Sequence, residues 1–67
     1  MKYGLLQCWP VGYLGSANRQ LAECDAANKT DAVENLQPHC PVGVTLDATG
    51  YTKVGEVSYV VAEEFGS

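Results

Sequence analysis

Cys8, Cys24, His39 and Cys40 are the residues of this chain whose types could hold a metal ion or attack a substrate carbonyl. A structural zinc site draws on close ligand pairs such as Cys-x₂-Cys, because a short loop can aim both thiolates at one ion. The close pair here is His39-Cys40, and adjacent side chains rarely reach the same ion. The same adjacency counts against Cys40 as a nucleophile with His39 as its base, and no third group is in view to orient the imidazole. A packed thiol beside a solvated imidazole, in the loop that leaves a helix, is the reading adopted. Paired carboxylates occur at Glu23/Asp25 and at Glu63-Glu64. General acid catalysis needs one carboxyl desolvated and its neighbour ionised. Glu63-Glu64 lies near a chain end, and Glu23 and Asp25 share one strand face that solvent is expected to cover. Gly12-Tyr13-Leu14-Gly15 lacks the Lys-Ser/Thr that a phosphate-cradling loop requires. No catalytic residue, metal or cofactor is therefore expected, and the chain is read as a non-enzyme.

The three cysteines stand sixteen residues apart, but their flanks (Gln-Cys-Trp, Glu-Cys-Asp, His-Cys-Pro) share nothing, so the spacing is not a repeat. An odd number in an unsecreted chain points to reduced thiols used as small apolar fillers. Among the aromatic residues, Trp9 and Tyr59 fall on strands and are expected in the core. Tyr13 and Tyr51 fall in turns and are expected to be exposed, where tyrosine serves as a contact anchor.

Stepping along the chain, residues 2 to 9 read as a strand with Tyr3, Leu5, Gln7 and Trp9 on one face and Leu6 and Cys8 on the other. Pro10, Gly12 and Gly15 predict a loop over residues 10 to 17. Residues 18 to 27 allow a helix capped by Ser16 or a strand with Ala22, Cys24 and Ala26 inward. The strand is favoured because a second helix start follows it. Asn28 is a capping residue, Asp31 stands three positions on, and Ala32, Val33 and Leu36 recur on one helical face. Pro38 and Pro41 end that helix, expected over residues 29 to 37. Residues 42 to 48 alternate Val42, Val44, Leu46 and Ala48 with smaller or polar groups, the pattern of a half-buried strand. Thr49-Gly50 supplies a turn, and residues 54 to 63 read as the longest strand. The expected fold is α+β, one domain over residues 1–67: about four antiparallel strands in the order ββαββ, with one short helix on one face. The opposite face keeps surplus apolar groups, among them Leu6, Cys8 and Val60, which points to a partner.

Eight acidic and four basic residues give a net charge of −4, with 46% apolar and 18% charged residues. That balance is globular, and it disfavours direct binding to nucleic acid, whose phosphates are held by Lys and Arg. No apolar stretch approaches the roughly 20 residues of a membrane span. The start, Met1 to Cys8, lacks the apolar core of a secretion signal, and Gln7 stands where lipoprotein acylation wants a small residue. The chain is expected to be cytoplasmic and off the membrane. Glu23, Asp25, Asp31 and Glu34 lie within twelve residues and are expected to form a negative surface for a protein partner with a basic face. A chain this short buries only about 60% of the surface exposed on unfolding, so a second copy of itself is the other partner class. Gly66-Ser67 is given no role.

The opening strand, Glu23-Cys24-Asp25-Ala26-Ala27-Asn28 leading into Thr30-Asp31-Ala32-Val33-Glu34-Asn35-Leu36, and the closing hairpin together resemble small phage-encoded accessory proteins, including anti-CRISPR inhibitors. The resemblance covers most of the chain in element order and character rather than in a diagnostic motif. It implies a protein that binds a host nuclease complex stoichiometrically and blocks it, and it carries no catalytic residue with it.

Overall fold

The computed structural model describes residues 1–64; Gly66-Ser67 lies outside the described residues. The chain runs β1 (Lys2–Val11), β2 (Gly15–Asp25), α1 (Lys29–Leu36), a short 3₁₀ turn (Gln37–His39), β3 (Tyr51–Val54) and β4 (Val57–Glu63). The strands form one antiparallel sheet in the order β2-β1-β4-β3, so the fold is α+β with ββαββ connectivity. First and last strands lie at the centre.

Register fixes the faces. Tyr3, Leu5 and Gln7 stand opposite Glu63, Val61 and Tyr59, while Gly4, Leu6 and Cys8 stand opposite Ala62, Val60 and Ser58. The first set faces α1, which buries Ala32 and Leu36 completely against it. Asn28 caps the helix as expected: the Asp31 N–H donates to Asn28 Oδ1 at 3.0 Å. Pro38 lies in the first turn of the 3₁₀ segment that Gln37 opens, where a missing N–H costs no helical bond.

β2 is a strand, as favoured, and Ala22, Cys24 and Ala26 pack against the core. A bulge intervenes: Leu5 pairs with Ala22 but Leu6 pairs with Gln20, leaving Leu21 as the extra residue. Both Leu21 and Ala22 consequently turn inward, where strict alternation would send Leu21 out. The loop expected over residues 10 to 17 shrinks to Gly12, Tyr13 and Leu14, because Gly12 at φ 67° reverses the chain and the ladder continues through Pro10–Ser16 and Val11–Gly15.

Residues 42 to 48 are not a strand. Gly43 takes φ 89° and the Val44 N–H donates to the Pro41 carbonyl at 3.0 Å, a turn that ejects Val42 into solvent. Beyond it the chain is extended but is held by a side chain. Gln37 Nε2 donates to the Val44 carbonyl at 2.9 Å, and the Leu46 N–H donates to Gln37 Oε1 at 2.7 Å. One amide thus supplies the donor and acceptor that a neighbouring strand would supply. Val44 and Leu46 are buried as expected; Val42 and Ala48 are exposed. The Thr49-Gly50 turn forms within residues 47 to 50, where the Gly50 N–H donates to the Asp47 carbonyl at 3.0 Å.

The long final strand is also two pieces. Val54 pairs with Val57 across Gly55-Glu56, and Gly55 at φ 64° gives the glycine-first pattern of a two-residue hairpin. The core is then Tyr3, Leu5, Ala32, Leu36, Val44, Leu46, Tyr59 and Val61. The helix covers part of the inner face and the Gln37-anchored segment covers a further part.

Candidate binding surface

Past Cys8 and Ser58 the β1–β4 ladder ends, while β1 and β2 continue paired to Val11 and Gly15. Residues 9–17 therefore form a two-stranded ribbon beyond the four-stranded sheet. Carrying the register one step further sets Val57 beside Trp9, so Val54, Val57, Trp9 and Ala17 form an apolar row across the inner face. Val57 still touches the core; Trp9, Val11 and Ala17 stand outside it. Trp9 is half-buried rather than a core residue, because neither α1 nor the segment after it supplies a partner that far along the sheet. At the tip Tyr13 is 96% and Leu14 90% exposed, with Val11 and Val54 half exposed. Tyr59, by contrast, is a core residue, and its hydroxyl accepts from Gln7 Nε2 at 3.2 Å. On the outer face of the same end, Cys8, Pro10, Ser16, Lys53, Glu56 and Ser58 line an open depression of ≈ 370 Å³.

The acidic residues lie at the other end. Glu23 and Asp25 stand opposite Gly4 and Lys2 on the outer face, whereas Asp31 and Glu34 belong to the helix on the inner face. All four are exposed, but the sheet separates them into two pairs. Lys2 Nζ lies 3.8 Å from Glu23 Oε1, and Gln20 Nε2 donates to Glu23 Oε2 at 3.2 Å. Tyr13 is removed from these carboxylates by most of the length of β2, roughly 30 Å at the strand rise. Tyr51, 43% exposed, opens β3 on the outer face beside Val60. The expected contact residues thus divide among four places.

Charge divides with them. The half of the sheet nearer the ribbon holds Arg19, Lys53 and Glu56, a net +1, so the remaining seven acidic and two basic residues carry −5. Residues 3–18 contain no charged side chain. That uncharged run was the available signal for Val11 and Leu14 as surface groups, and Val54 lies outside it; without register, nothing said which of its apolar residues the helix would leave uncovered.

The chemistry-bearing side chains are dispersed. Cys8 is on the outer face, Cys24 packs inward from β2, and Cys40 follows the 3₁₀ turn. Among the described residues no three His, Cys, Asp or Glu side chains converge. Burial pushes the Cys40 thiol up, which lowers its thiolate fraction and its reactivity. No helix among the described residues is long and apolar enough to cross a membrane. Comparison with known protein families, with curated proteins and with solved structures returns no match.

Proposed function

We propose that this chain is a non-catalytic binding protein that docks on a larger protein through its ribbon end. One observation carries the reading: Tyr13 and Leu14 stand 96% and 90% exposed at the tip of a projecting, uncharged ribbon. A solvated turn gains nothing from two large apolar side chains, whereas tyrosine and its apolar neighbours supply the anchors of protein interfaces. The partner class is the one that the resemblance implies, a host nuclease complex of an antiviral defence, blocked by occupation rather than by chemistry.

The test is titration of purified RNA-guided nuclease complexes with the chain, reading DNA cleavage. Cleavage by one of them falls to zero near one chain per complex, and Tyr13→Ser with Leu14→Ser raises the required concentration at least about tenfold. Cleavage unaffected at saturating chain overturns the inhibitor reading. A second contact mode has its own observation, the segregation of charge: an acidic half at −5 steers association with a basic surface, whose rate then falls with salt.

A further inference from the structure

We infer that the free edge of β2 over residues 16–20 takes an added strand, an extended segment of a partner protein that pairs antiparallel and sets a carboxylate opposite Arg19. The inference rests on the reading of the ribbon end as the docking end and names the kind of segment docked there. Backbone hydrogen bonds fix the geometry. The Met1 amino group donates to the Ala26 carbonyl at 3.1 Å and the Ala26 N–H donates to the Met1 carbonyl at 2.9 Å. The odd-numbered residues of β1 therefore turn their backbone groups toward β2. The Glu64 N–H donates to the Lys2 carbonyl at 2.8 Å, which turns the even-numbered ones toward β4. By register Gln7, Trp9 and Val11 then bond Arg19, Ala17 and Gly15. Ser16, Asn18 and Gln20 aim their N–H and C=O groups away from the sheet, and no other backbone group among the described residues pairs with them.

The rest of the sheet's perimeter is guarded. On β3 the Gly50 carbonyl accepts from the Val61 N–H, so Tyr51 and Lys53 face outward. Tyr51 is already satisfied: its N–H donates to Asp47 Oδ1 at 3.0 Å and its carbonyl accepts from the Asp47 N–H at 3.2 Å. Farther along β2 the bulge at Leu21 breaks the pairing line, and Glu23 and Asp25 place carboxylates beside it. Bulges and charges are the common guards of an exposed edge. Residues 16–20 hold neither bulge nor proline, and unpaired N–H and C=O groups at every second residue match one class of occupant, another extended chain. Side chains say what that chain carries. Arg19 is exposed on the inner face, and the one ion pair among the described residues is Lys2–Glu23, so no carboxylate meets the guanidinium. Ala17 ends the apolar row that Val54, Val57 and Trp9 begin, and an apolar side chain opposite it continues the row. In an antiparallel strand the residue opposite Arg19 comes two before the residue opposite Ala17, so the segment reads acidic, any, apolar. Glu23 and Asp25 repel such a segment if it slides past the bulge.

The probe is the blocked peptide Thr-Glu-Thr-Val-Thr, titrated into the isotope-labelled full chain up to about 5 mM and followed by amide resonances. The amide protons of Ser16, Asn18 and Gln20 move downfield, and those of Ala17 and Arg19, which face β1, move less. Backbone N-methylation at the peptide's first, third and fifth residues abolishes the shifts; methylation at its second and fourth, which face solvent, leaves them. Lys in place of the peptide's Glu weakens binding at least about fivefold, and Arg19→Glu inverts that preference. No shift at the highest concentration overturns the inference. So do shifts outside the β2 edge, or binding indifferent to which peptide nitrogens are methylated. Peptide binding by a chain that inhibits no nuclease keeps the added strand and removes the nuclease reading. Inhibition that depends on Tyr13 and Leu14, in a chain that takes no peptide, gives the converse.

Discussion

Gln37 organises more of this molecule than any charged residue. Its amide satisfies the Val44 carbonyl and the Leu46 N–H, and thereby holds two core side chains over the sheet. Gln37→Ala leaves both backbone groups without that partner in a partly buried place, which costs about 2 kcal/mol; denaturant unfolding measures it, and an unchanged midpoint refutes the role. Asn28→Ala removes the cap on the Asp31 amide and costs about 1 kcal/mol, a fall of roughly 4–8 °C in Tm. Asp47 is the pH-dependent counterpart. Its Oδ1 accepts from the Thr49 hydroxyl at 2.6 Å, the Thr49 N–H at 2.9 Å and the Tyr51 N–H at 3.0 Å. The Thr49 hydroxyl, followed by the Tyr51 amide, holds the carboxyl below the usual aspartate range. A lowered pKa means that the turn's contribution is present at neutral pH and is lost as pH falls through the folded value. The Thr49 and Tyr51 amide resonances therefore titrate together in acid, with a midpoint below that of an unperturbed aspartate. Titration at the ordinary midpoint shows that the turn does not depend on the ionised group.

At the scale of elements, β2 carries two roles along its length. Its first half completes the ribbon with Ala17; its second half packs Ala22 and Cys24 inward and presents Glu23 and Asp25 outward, and the bulge at Leu21 separates the two. Exposed charges on such a strand contribute little to folding. Glu23→Lys with Asp25→Lys therefore changes stability by only about 0.5 kcal/mol, including loss of the 3.8 Å contact from Lys2, a surface pair of small worth. If the acidic half steers a basic partner, the reversed protein associates more slowly at low salt and the difference closes at high salt. Equal rates at low salt confine the carboxylates to solvation and leave recognition to the ribbon.

The whole molecule measures 38 × 29 × 16 Å, one sheet and one helix thick along its shortest axis. Its radius of gyration is 12.0 Å, against about 11 Å for a compact chain of this length. The excess agrees with a ribbon projecting past the core. Local stability follows contact density, so amide exchange divides the molecule. In dilute solution the β1 and β4 amides around Leu5 and Val61, both fully buried, exchange slowest, and those of residues 9–17 exchange fastest within the sheet. Uniform protection along β1 at low concentration contradicts the ribbon as an open element.

Much of this architecture was legible in the residues alone, and the division has a physical basis. Side-chain alternation in β1 and β4, the cap at Asn28 with its apolar helical stripe, and the stop at Pro38 are local properties of short segments, and each stands in the structure where the sequence placed it. The alternation of Val44 and Leu46 correctly marked burial, but burial does not name the hydrogen-bond partner. Gln37 rather than a strand fills that place, and the positive φ of Gly43 and Gly55 moves the third strand to residues 51–54. Trp9 was misread for the same reason. Its side chain faces inward as its strand phase requires, yet only the length and placement of α1 decide how far along the sheet the cover extends. The candidate surface is what that cover leaves open. An amino-acid sequence determines which side chains seek burial; the tertiary structure alone decides which of them find it.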